Sequence, residues 1–163
     1  MKLILTADEN WGIGKDGGLL CHIPGDLKFF KEKTLGKVVV MGRVTLESLP
    51  GKKGLPGRTN IVLTRNPDYK AENAIVVNSE EELFAKIKEY DADDVMLIGG
   101  AELYNRYLPL CDICYITKMY KSFDADRHFV NLDEMPEFEK TALDEIKEEN
   151  GVRYRFFMYE RKK

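Results

Sequence analysis

The chain has 163 residues, of which 44% are hydrophobic and 33% are charged, and this size and composition predict one globular domain spanning residues 1–163. Its 25 basic and 28 acidic residues leave a net charge of −3, which disfavours a general nucleic-acid-binding protein, because such proteins present a basic surface. No apolar run approaches the roughly 20 residues that a membrane span needs, and the N-terminal run is too short for a signal-peptide core. We therefore expect a cytoplasmic protein with no membrane segment.

Apolar segments alternate with helical ones along the chain. From the N-terminus we predict a strand at 2–7, a glycine-rich loop at 8–24, a helix at 25–35, a strand at 38–41, a short helix at 43–49 and a loop at 51–57. Further on we predict strands at 59–64 and 74–77, a helix from the capping box at Ser79 to about Tyr90, a strand at 94–98, a short helix from Ala101 that ends before Pro109, and a strand at 112–120. Asn150-Gly151 predicts a terminal hairpin.

This order predicts an α/β fold, in which a mostly parallel sheet has helices on both faces and carries a C-terminal antiparallel hairpin at one edge. In such folds, ligands bind beyond the carboxyl ends of the strands. The functional residues are therefore sought in the segments that follow the predicted strands.

The three cysteines, Cys21, Cys111 and Cys114, are few and odd in number, which is typical of a reducing compartment. Cys111 and Cys114 have redox-motif spacing, but residues three apart on a strand point to opposite faces. We interpret both as buried structural thiols. The two histidines, His22 and His128, have no second ligand at metal spacing, and no metal site is predicted.

Gly12, Gly14 and Gly17 match the pattern G-x-G-x-x-G. The dinucleotide fingerprint needs a strand immediately before this pattern and a helix opening on it. Here the preceding strand ends near Ala7, and the segment that follows leads to Pro24, so the Rossmann interpretation is disfavoured. Two alternatives stay open, a mobile surface loop and a lid whose glycines permit large backbone changes.

Asp26 lies in the first turn of the first long helix, where an acidic residue is favoured by the helix dipole alone. It also shares a helix face with Phe30, four residues on, and has Leu27 beside it. Burial of a carboxyl group on an apolar face costs free energy unless a polar partner or ligand binds it. Asp26 is therefore a candidate catalytic residue, with the helix-start role as its alternative.

An apolar cleft is expected beside Asp26. Leu49 and Leu55 could line it together with Leu27 and Phe30, and Arg58 could stand at its rim. Alternatively, Arg58 is a surface charge after a turn. Thr117 lies in a buried-looking strand and needs a hydrogen-bond partner.

Two strand–glycine–helix junctions are candidate phosphate sites, because each opens a helix with free backbone N–H groups. They are Gly42-Arg43 and Gly99-Gly100. Either junction alone is commonly just a tight connection, but two at equivalent strand ends suit a pyrophosphate between them. Arg43 and Arg65 could add a small basic patch, or be two solvated arginines.

Taken together and in this order, these motifs resemble bacterial dihydrofolate reductases over nearly the full chain. The matching stretches are residues 12–17, 23–31, 40–48, 55–60, 98–104, 117 and 126–129. The chain departs from the family at Leu19-Leu20-Cys21, where Leu-Pro-Trp or Met-Pro-Trp is usual, and at Glu102, where a basic residue sometimes stands. In the family that tryptophan orients an ordered water at the pterin and stacks in the pocket, and Cys21 can do neither well, so the resemblance does not extend to the water-borne proton route.

The resemblance implies reduction of 7,8-dihydrofolate to 5,6,7,8-tetrahydrofolate, with hydride transfer to C6. Asp26 is implied to be the one ionisable group in the pterin pocket and to favour protonation at N5. Thr117 is implied to bind that carboxylate and the pterin, and Arg58 to pair with the glutamate carboxylate of the substrate. The other implied substrate-binding residues are Leu5, Thr6, Leu27, Phe30, Leu49, Leu55 and Ile98.

The resemblance also implies NADPH as the cofactor, with residues 13–19 as a lid. Arg43, Thr64 and Arg65 are implied to meet its 2′-phosphate, and residues 44–45 and 99–103 its pyrophosphate. A cis peptide bond between Gly99 and Gly100 is implied as well. The implied cofactor-binding residues are Ala7, Ile13, Gly14, Gly17, Gly18, Leu19, Gly42, Arg43, Val44, Thr45, Leu63, Thr64, Arg65, Asn78, Gly99, Gly100, Ala101, Glu102, Leu103 and Tyr104.

The expected partners are small molecules, namely dihydrofolate and antifolate inhibitors, and a monomer without nucleic-acid or membrane partners is expected. Two rival functions stay open. One is a related pterin or pyrimidine reductase of the same fold, which would need no clamp for a glutamate. The other is a non-catalytic nucleotide-binding domain, which would need no buried acid facing Phe30.

Overall fold

The structure, a computed structural model, describes the whole chain from Met1 to Lys163. Its strands are β1 (Lys2–Ala7), β2 (Gly12–Gly14), β3 (Val38–Gly42), β4 (Thr59–Leu63), β5 (Ile75–Val77), β6 (Val95–Gly99), β7 (Ile113–Met119), β8 (Arg127–His128), β9 (Phe138–Ala142), β10 (Lys147–Glu149) and β11 (Val152–Arg161). Its helices are α1 (Pro24–Thr34), α2 (Arg43–Ser48), α3 (Glu80–Ile87) and α4 (Ala101–Tyr107). One-turn 3₁₀ helices lie at Pro50–Lys52, Ala92–Asp94, Leu108–Leu110 and Leu132–Glu134.

Nine strands form one mixed sheet in the order β10-β11-β7-β1-β6-β3-β4-β5, with β9 also paired to β11. The run from β7 to β5 is parallel throughout. The last three strands add antiparallel pairing at one edge. The predicted mostly parallel α/β fold with a terminal hairpin is confirmed.

Successive side chains of β1 point to opposite faces of the sheet, and each face has its own part of the core. Leu3, Leu5 and Ala7 belong to the larger cluster, which α3 and α4 cover. Ile4 belongs to a smaller cluster, against which Phe29 and Phe30 of α1 pack. Thr6 therefore emerges on the face covered by α1, and this orientation matters for the site.

Local signals account for the ends of several elements. Pro24 occupies the first turn of α1, where its missing N–H costs nothing. Ser79 caps α3 by accepting the Glu82 N–H at 3.0 Å, as the capping box predicts. The Glu82 carboxylate reaches the N–H of Asn78 rather than that of Ser79, at 2.7 Å. The terminal hairpin turns at Asn150-Gly151, where both residues have positive φ.

Three strands escaped prediction. They are β2, β8 and β9. β2 lies inside the segment predicted as a loop at 8–24 and pairs with β8, and β9 pairs with β11. β2 consists of glycines around one isoleucine, and its partner lies more than a hundred residues away, so no local hydrophobic alternation marks it. The segment Gly12–Gly14 is thus a strand in a small sheet of its own, and no helix opens on the G-x-G-x-x-G pattern.

The predicted structural thiols are confirmed as buried free cysteines at Cys111 and Cys114. Burial raises the pKa of Cys111 to about 12, so this thiol is not activated. No group of three or more acidic, cysteine or histidine side chains is arranged to hold a metal ion. None of the helices is long and apolar enough to cross a membrane.

Candidate active site

Asp26 projects from the first turn of α1 onto the carboxyl ends of β1 and β7. Thr117 Oγ1 donates a hydrogen bond of 2.6 Å to Asp26 Oδ1, and Thr6 Oγ1 donates to Asp26 Oδ2. Each carboxyl oxygen thus has its own hydroxyl donor, and the carboxyl group is fixed in two places. The predicted contact between Thr117 and Asp26 is present, and Thr6 adds a second donor.

The electrostatics of Asp26 reflect opposing effects. Burial raises its pKa and is the largest influence, while the hydrogen bonds from Thr117 and Thr6 lower it. The charge of Glu149 adds a smaller upward effect. The net pKa of Asp26 lies above its ordinary value. A carboxyl group in this state can hold a proton at a higher pH than a solvated aspartate.

Three of the four side chains predicted to line an apolar cleft lie on the face of the sheet that α1 covers. Phe30, Leu49 and Leu55 are half-buried and pack against the same core cluster. Leu27 is the most open of the four lining residues, with 43% of its surface exposed. An exposed leucine next to half-buried apolar side chains leaves a surface on which an aromatic ring could pack.

Arg58 is restrained by Thr34 of α1 and by the turn that precedes it. Its Nε donates to Thr34 Oγ1 at 3.2 Å, and one terminal nitrogen donates to the Pro56 carbonyl at 2.7 Å. Burial lowers the pKa of Arg58, but a guanidinium remains charged in proteins. The fully buried Thr34 was not predicted to have a role, because its hydroxyl meets Arg58 only through the fold.

The two glycine junctions, which are far apart in sequence, meet in the structure. A β-carbon at Gly99 would lie 3.0 Å from Thr45 Oγ1, and one at Gly42 would lie 3.6 Å from Leu103 Cδ1. Neither α2 nor α4 has a side-chain cap at its N-terminus. Free backbone N–H groups of two helices therefore open on one region, which is the arrangement that an anion requires. The Gly99–Gly100 peptide bond is cis, as expected.

The predicted phosphate-binding side chains lie at the exposed end of β4 and on α2. Arg43 forms an ion pair with Glu47 at 3.0 Å, while Arg65 is exposed. Asn78 donates through Nδ2 to the carbonyl oxygens of Thr64 and Asn66, each at 3.0 Å. Asn78 thereby holds the backbone of the turn that carries Thr64 and Arg65.

The segment predicted as a lid is anchored at its base and turns sharply at its tip. Asp16 and Gly17 have positive φ, and Lys15 and Gly18 exchange two backbone hydrogen bonds of 3.2 and 2.9 Å across them. A β-carbon at Gly17 would lie 3.8 Å from Val44 Cγ1. The turn therefore lies next to the start of α2, near the joined glycine junctions.

The remaining predicted residues occupy two kinds of position. Leu5, Ala7, Ile98, Leu103 and Tyr104 are buried, so at these positions only the backbone or an edge of the side chain can meet a ligand. The others, in part half-buried and in part exposed, are Ile13, Leu19, Leu63, Ala101 and Glu102. Gly14 is buried within β2.

Two buried tyrosines lie near Asp26, and only one of them was predicted to belong to the site. Tyr104 donates to the Ile4 carbonyl at 2.7 Å. Tyr154, on β11, donates to Glu149, which in turn accepts the Gly25 N–H next to Asp26 at 3.0 Å. Sequence reasoning missed Glu149 and Tyr154, because no local motif marks a contact across more than a hundred residues.

Comparison of the sequence with known proteins finds extensive similarity to one family. The family described as dihydrofolate reductase matches residues 1–161. The dihydrofolate reductase of Bacillus subtilis (strain 168) is 36% identical, and the match covers 99% of this chain and 95% of that protein. That of Haemophilus influenzae is 38% identical, with 99% and 98% covered.

A solved structure agrees as well. Dihydrofolate reductase from Enterococcus faecalis, complexed with NADP(H) and RAB-propyl, superposes with a TM-score of 0.87 at 38% identity. The superposition covers 99% of this chain and 96% of that one. Similarity of this extent in both sequence and structure shows that the chain belongs to the dihydrofolate reductase family, and it is therefore an oxidoreductase.

Proposed function

We propose that this chain catalyses the NADPH-dependent reduction of 7,8-dihydrofolate to 5,6,7,8-tetrahydrofolate, with hydride transfer to C6 and protonation at N5 assisted by Asp26. Membership of the family makes the chain an NADPH-dependent oxidoreductase that acts on dihydrofolate. The observation that carries the finer proposal is the Asp26 carboxyl group, whose two oxygens are held by hydrogen bonds from Thr6 and Thr117.

The residues around the joined glycine junctions fit NADPH. Two uncapped helix N-termini can bind its pyrophosphate. Arg43 and Arg65 are exposed and Thr64 is half-buried in the segments after β3 and β4, where a 2′-phosphate could be held by guanidinium and hydroxyl donors. When bound, NADPH supplies the hydride.

The contribution of the protein is to place and hold a proton. Asp26 is half-buried, and hydrogen bonds hold its carboxyl group in place. Its raised pKa favours the protonated form, which can supply a proton to a base such as N5. In its ionised form, the same carboxylate can accept hydrogen bonds from an amino group and a ring N–H of a pterin. Turnover therefore depends on the protonation state of Asp26.

The substrate side is completed by the apolar cleft and Arg58. Leu27, Phe30, Leu49 and Leu55 can hold an aromatic ring, and Arg58 can pair with a carboxylate. Thr34 and Pro56 restrain the guanidinium, which lowers the cost of ordering it when substrate binds. We also propose that antifolate inhibitors of similar shape bind at this position. The protein is proposed to be a single domain and a monomer.

A comparison of two substrates tests this proposal against the rival reductase. NADPH oxidation is followed by absorbance with dihydrofolate and with a dihydropterin that lacks the glutamate. We expect Arg58→Leu to raise KM for dihydrofolate roughly tenfold or more and to leave the dihydropterin unaffected. Arg153→Leu, at an exposed position on β11, is the control. An absence of dihydrofolate-dependent oxidation would reject the activity, and an unchanged KM in Arg58→Leu would reject the clamp.

A further inference from the structure

Glu149 joins the terminal hairpin to the start of α1. It is the last residue of β10, and its Oε1 accepts the backbone N–H of Gly25 at 3.0 Å. The same oxygen accepts a hydrogen bond from the hydroxyl of Tyr154, a residue with only 1% of its surface exposed. Gly25 immediately precedes Asp26, so this contact restrains the backbone that carries the carboxyl group of the site.

The contact requires glycine at position 25. A β-carbon there would overlap both Glu149 Oε1 and the Tyr154 hydroxyl. The φ of Gly25 is not in the left-handed region, so the requirement is steric rather than conformational. The first turn of α1 is therefore shaped to receive a carboxylate from the hairpin.

The Tyr154 hydroxyl remains a donor in this arrangement. Burial raises its pKa, and the hydrogen bond to Glu149 raises it further. Glu149 takes part in no ion pair. Two neutral donors therefore hold the carboxylate, and no cation neutralises it at contact distance.

Other charged and titratable groups surround this pair, and each must be considered. Asp26 accepts hydrogen bonds from Thr6 and Thr117, the charge of Glu149 raises its pKa, and its own charge raises the pKa values of Tyr104 and Tyr154. An open groove beside Glu149 is lined by Lys28, Glu32 and Lys33 of α1, and by Asp144 and Lys147 before it. Lys147 is paired with Asp144 at 3.0 Å. Among these groups, Glu149 is the acidic one that raises the pKa of Asp26.

We propose that Glu149 is a positioning residue for Asp26. Held by Tyr154, it anchors the Gly25 N–H and keeps a negative charge beside the carboxyl group of the site. The charge disfavours a second negative charge on Asp26, and the anchor fixes where Asp26 lies. This inference rests on the role of Asp26 in the proposed function.

The test removes the charge and keeps the contact. In Glu149→Gln, the amide oxygen can still accept from Gly25 and Tyr154, so a purely structural role would be preserved. Glu148→Gln is the matched control, because it makes the same charge change one residue away at an exposed position. The titration of Asp26 is read from its ¹³C carboxyl shift in labelled protein, assigned with Asp26→Asn. The pH profile of hydride transfer is measured in parallel.

We expect Glu149→Gln to move the Asp26 midpoint down by about 0.3–1 pH unit, the scale of one partly screened charge. Above the midpoint, the protonated fraction then falls about twofold to tenfold. Glu148→Gln should move neither readout. An unchanged or raised midpoint in Glu149→Gln, or equal shifts in both variants, would overturn the proposal.

A second variant tests the anchor. Gly25→Ala should displace Glu149 and reproduce the lowered midpoint, with a reduced maximal rate and an unfolding transition that stays cooperative. A midpoint equal to that of the unsubstituted protein would contradict the anchor. The carboxyl titration needs no substrate. It can therefore contradict the role of Glu149 in a protein that reduces dihydrofolate, and it can support that role in a protein that does not.

Discussion

Thr6 and Thr117 are register partners on the adjacent parallel strands β1 and β7, and their hydroxyls bind different oxygens of the same carboxyl group, that of Asp26. The spacing of the two donors is therefore set by the backbone ladder of the sheet, which holds neighbouring strands at a fixed separation. The position of Asp26 is determined by two strands as well as by the helix that carries it.

Removal of either hydroxyl should raise the pKa of Asp26. Hydrogen bonds from Thr117 and Thr6 lower that pKa, so Thr6→Val and Thr117→Val should each raise it by about one unit. The ¹³C carboxyl shift of Asp26 measures this directly. Thr141→Val, at an exposed position on β9, should have no effect. A lowered pKa in either variant would show that the hydroxyls do not stabilise the ionised form.

Asp26→Asn should cut turnover at pH 7 by roughly a hundredfold or more, the scale of lost acid–base assistance. Asparagine keeps the shape of the side chain but has no proton to share. The loss should be smaller at low pH, where solvent can supply the proton, and NADPH affinity should be nearly unchanged. In the unsubstituted protein, the rate should fall as the pH rises through the raised pKa of Asp26. Near-normal turnover of the variant at pH 7 would show that Asp26 is only an acidic residue favoured at the start of a helix.

The same substitution should stabilise the fold at neutral pH. Because the pKa of Asp26 is raised in the folded state, the ionised form is disfavoured there relative to the unfolded chain. The stabilisation linked to the bound proton is complete below the unfolded value of about 3.9 and is lost as the pH rises through the folded value. Asp26→Asn should therefore raise Tm at pH 7, and this gain should shrink toward pH 4. A Tm difference that is independent of pH would contradict the linkage, and Asp68→Asn, on an exposed turn, serves as the control.

Replacement of Arg43 and Arg65 together with alanine should weaken binding of NADPH far more than binding of NADH. Only NADPH carries the 2′-phosphate that guanidinium groups can meet. Added salt should reduce the difference, because exposed charges are screened. Fluorescence titration of both cofactors measures this, with Arg153→Ala as the exposed control. Equal losses for the two cofactors would show that both arginines are ordinary surface charges.

Cys21→Trp should change proton delivery more than substrate binding. Cys21 is half-buried, packs beside the cluster around Ile23 and Met119, and offers only a weak donor, whereas an indole N–H can hold a water molecule. The larger ring should cost about 1–3 kcal/mol of stability through overpacking. Cys21→Phe supplies similar bulk without the N–H. If the two variants have the same pH profile of hydride transfer, Cys21 is remote from the proton route.

Sequence patterns determined most of the architecture. The alternation of apolar strands and helices predicted the parallel sheet, and Asn150-Gly151 predicted the terminal hairpin, since both signals are local. The same patterns placed Asp26 on an apolar helix face and located the two glycine junctions at strand ends. These inferences depend on residues a few positions apart, where backbone geometry alone decides which side chains are neighbours.

Tertiary structure decided which distant groups meet. The hydroxyl of Thr6 on Asp26, the hydroxyl of Thr34 on Arg58 and the carboxylate of Glu149 on Gly25 have no local signature. The pairing of β2 with β8 has none either. Each of these contacts depends on strand register and on the packing of α1 against the sheet. The sequence therefore indicated the candidate acid, whereas long-range packing determined the groups that position it and shift its pKa.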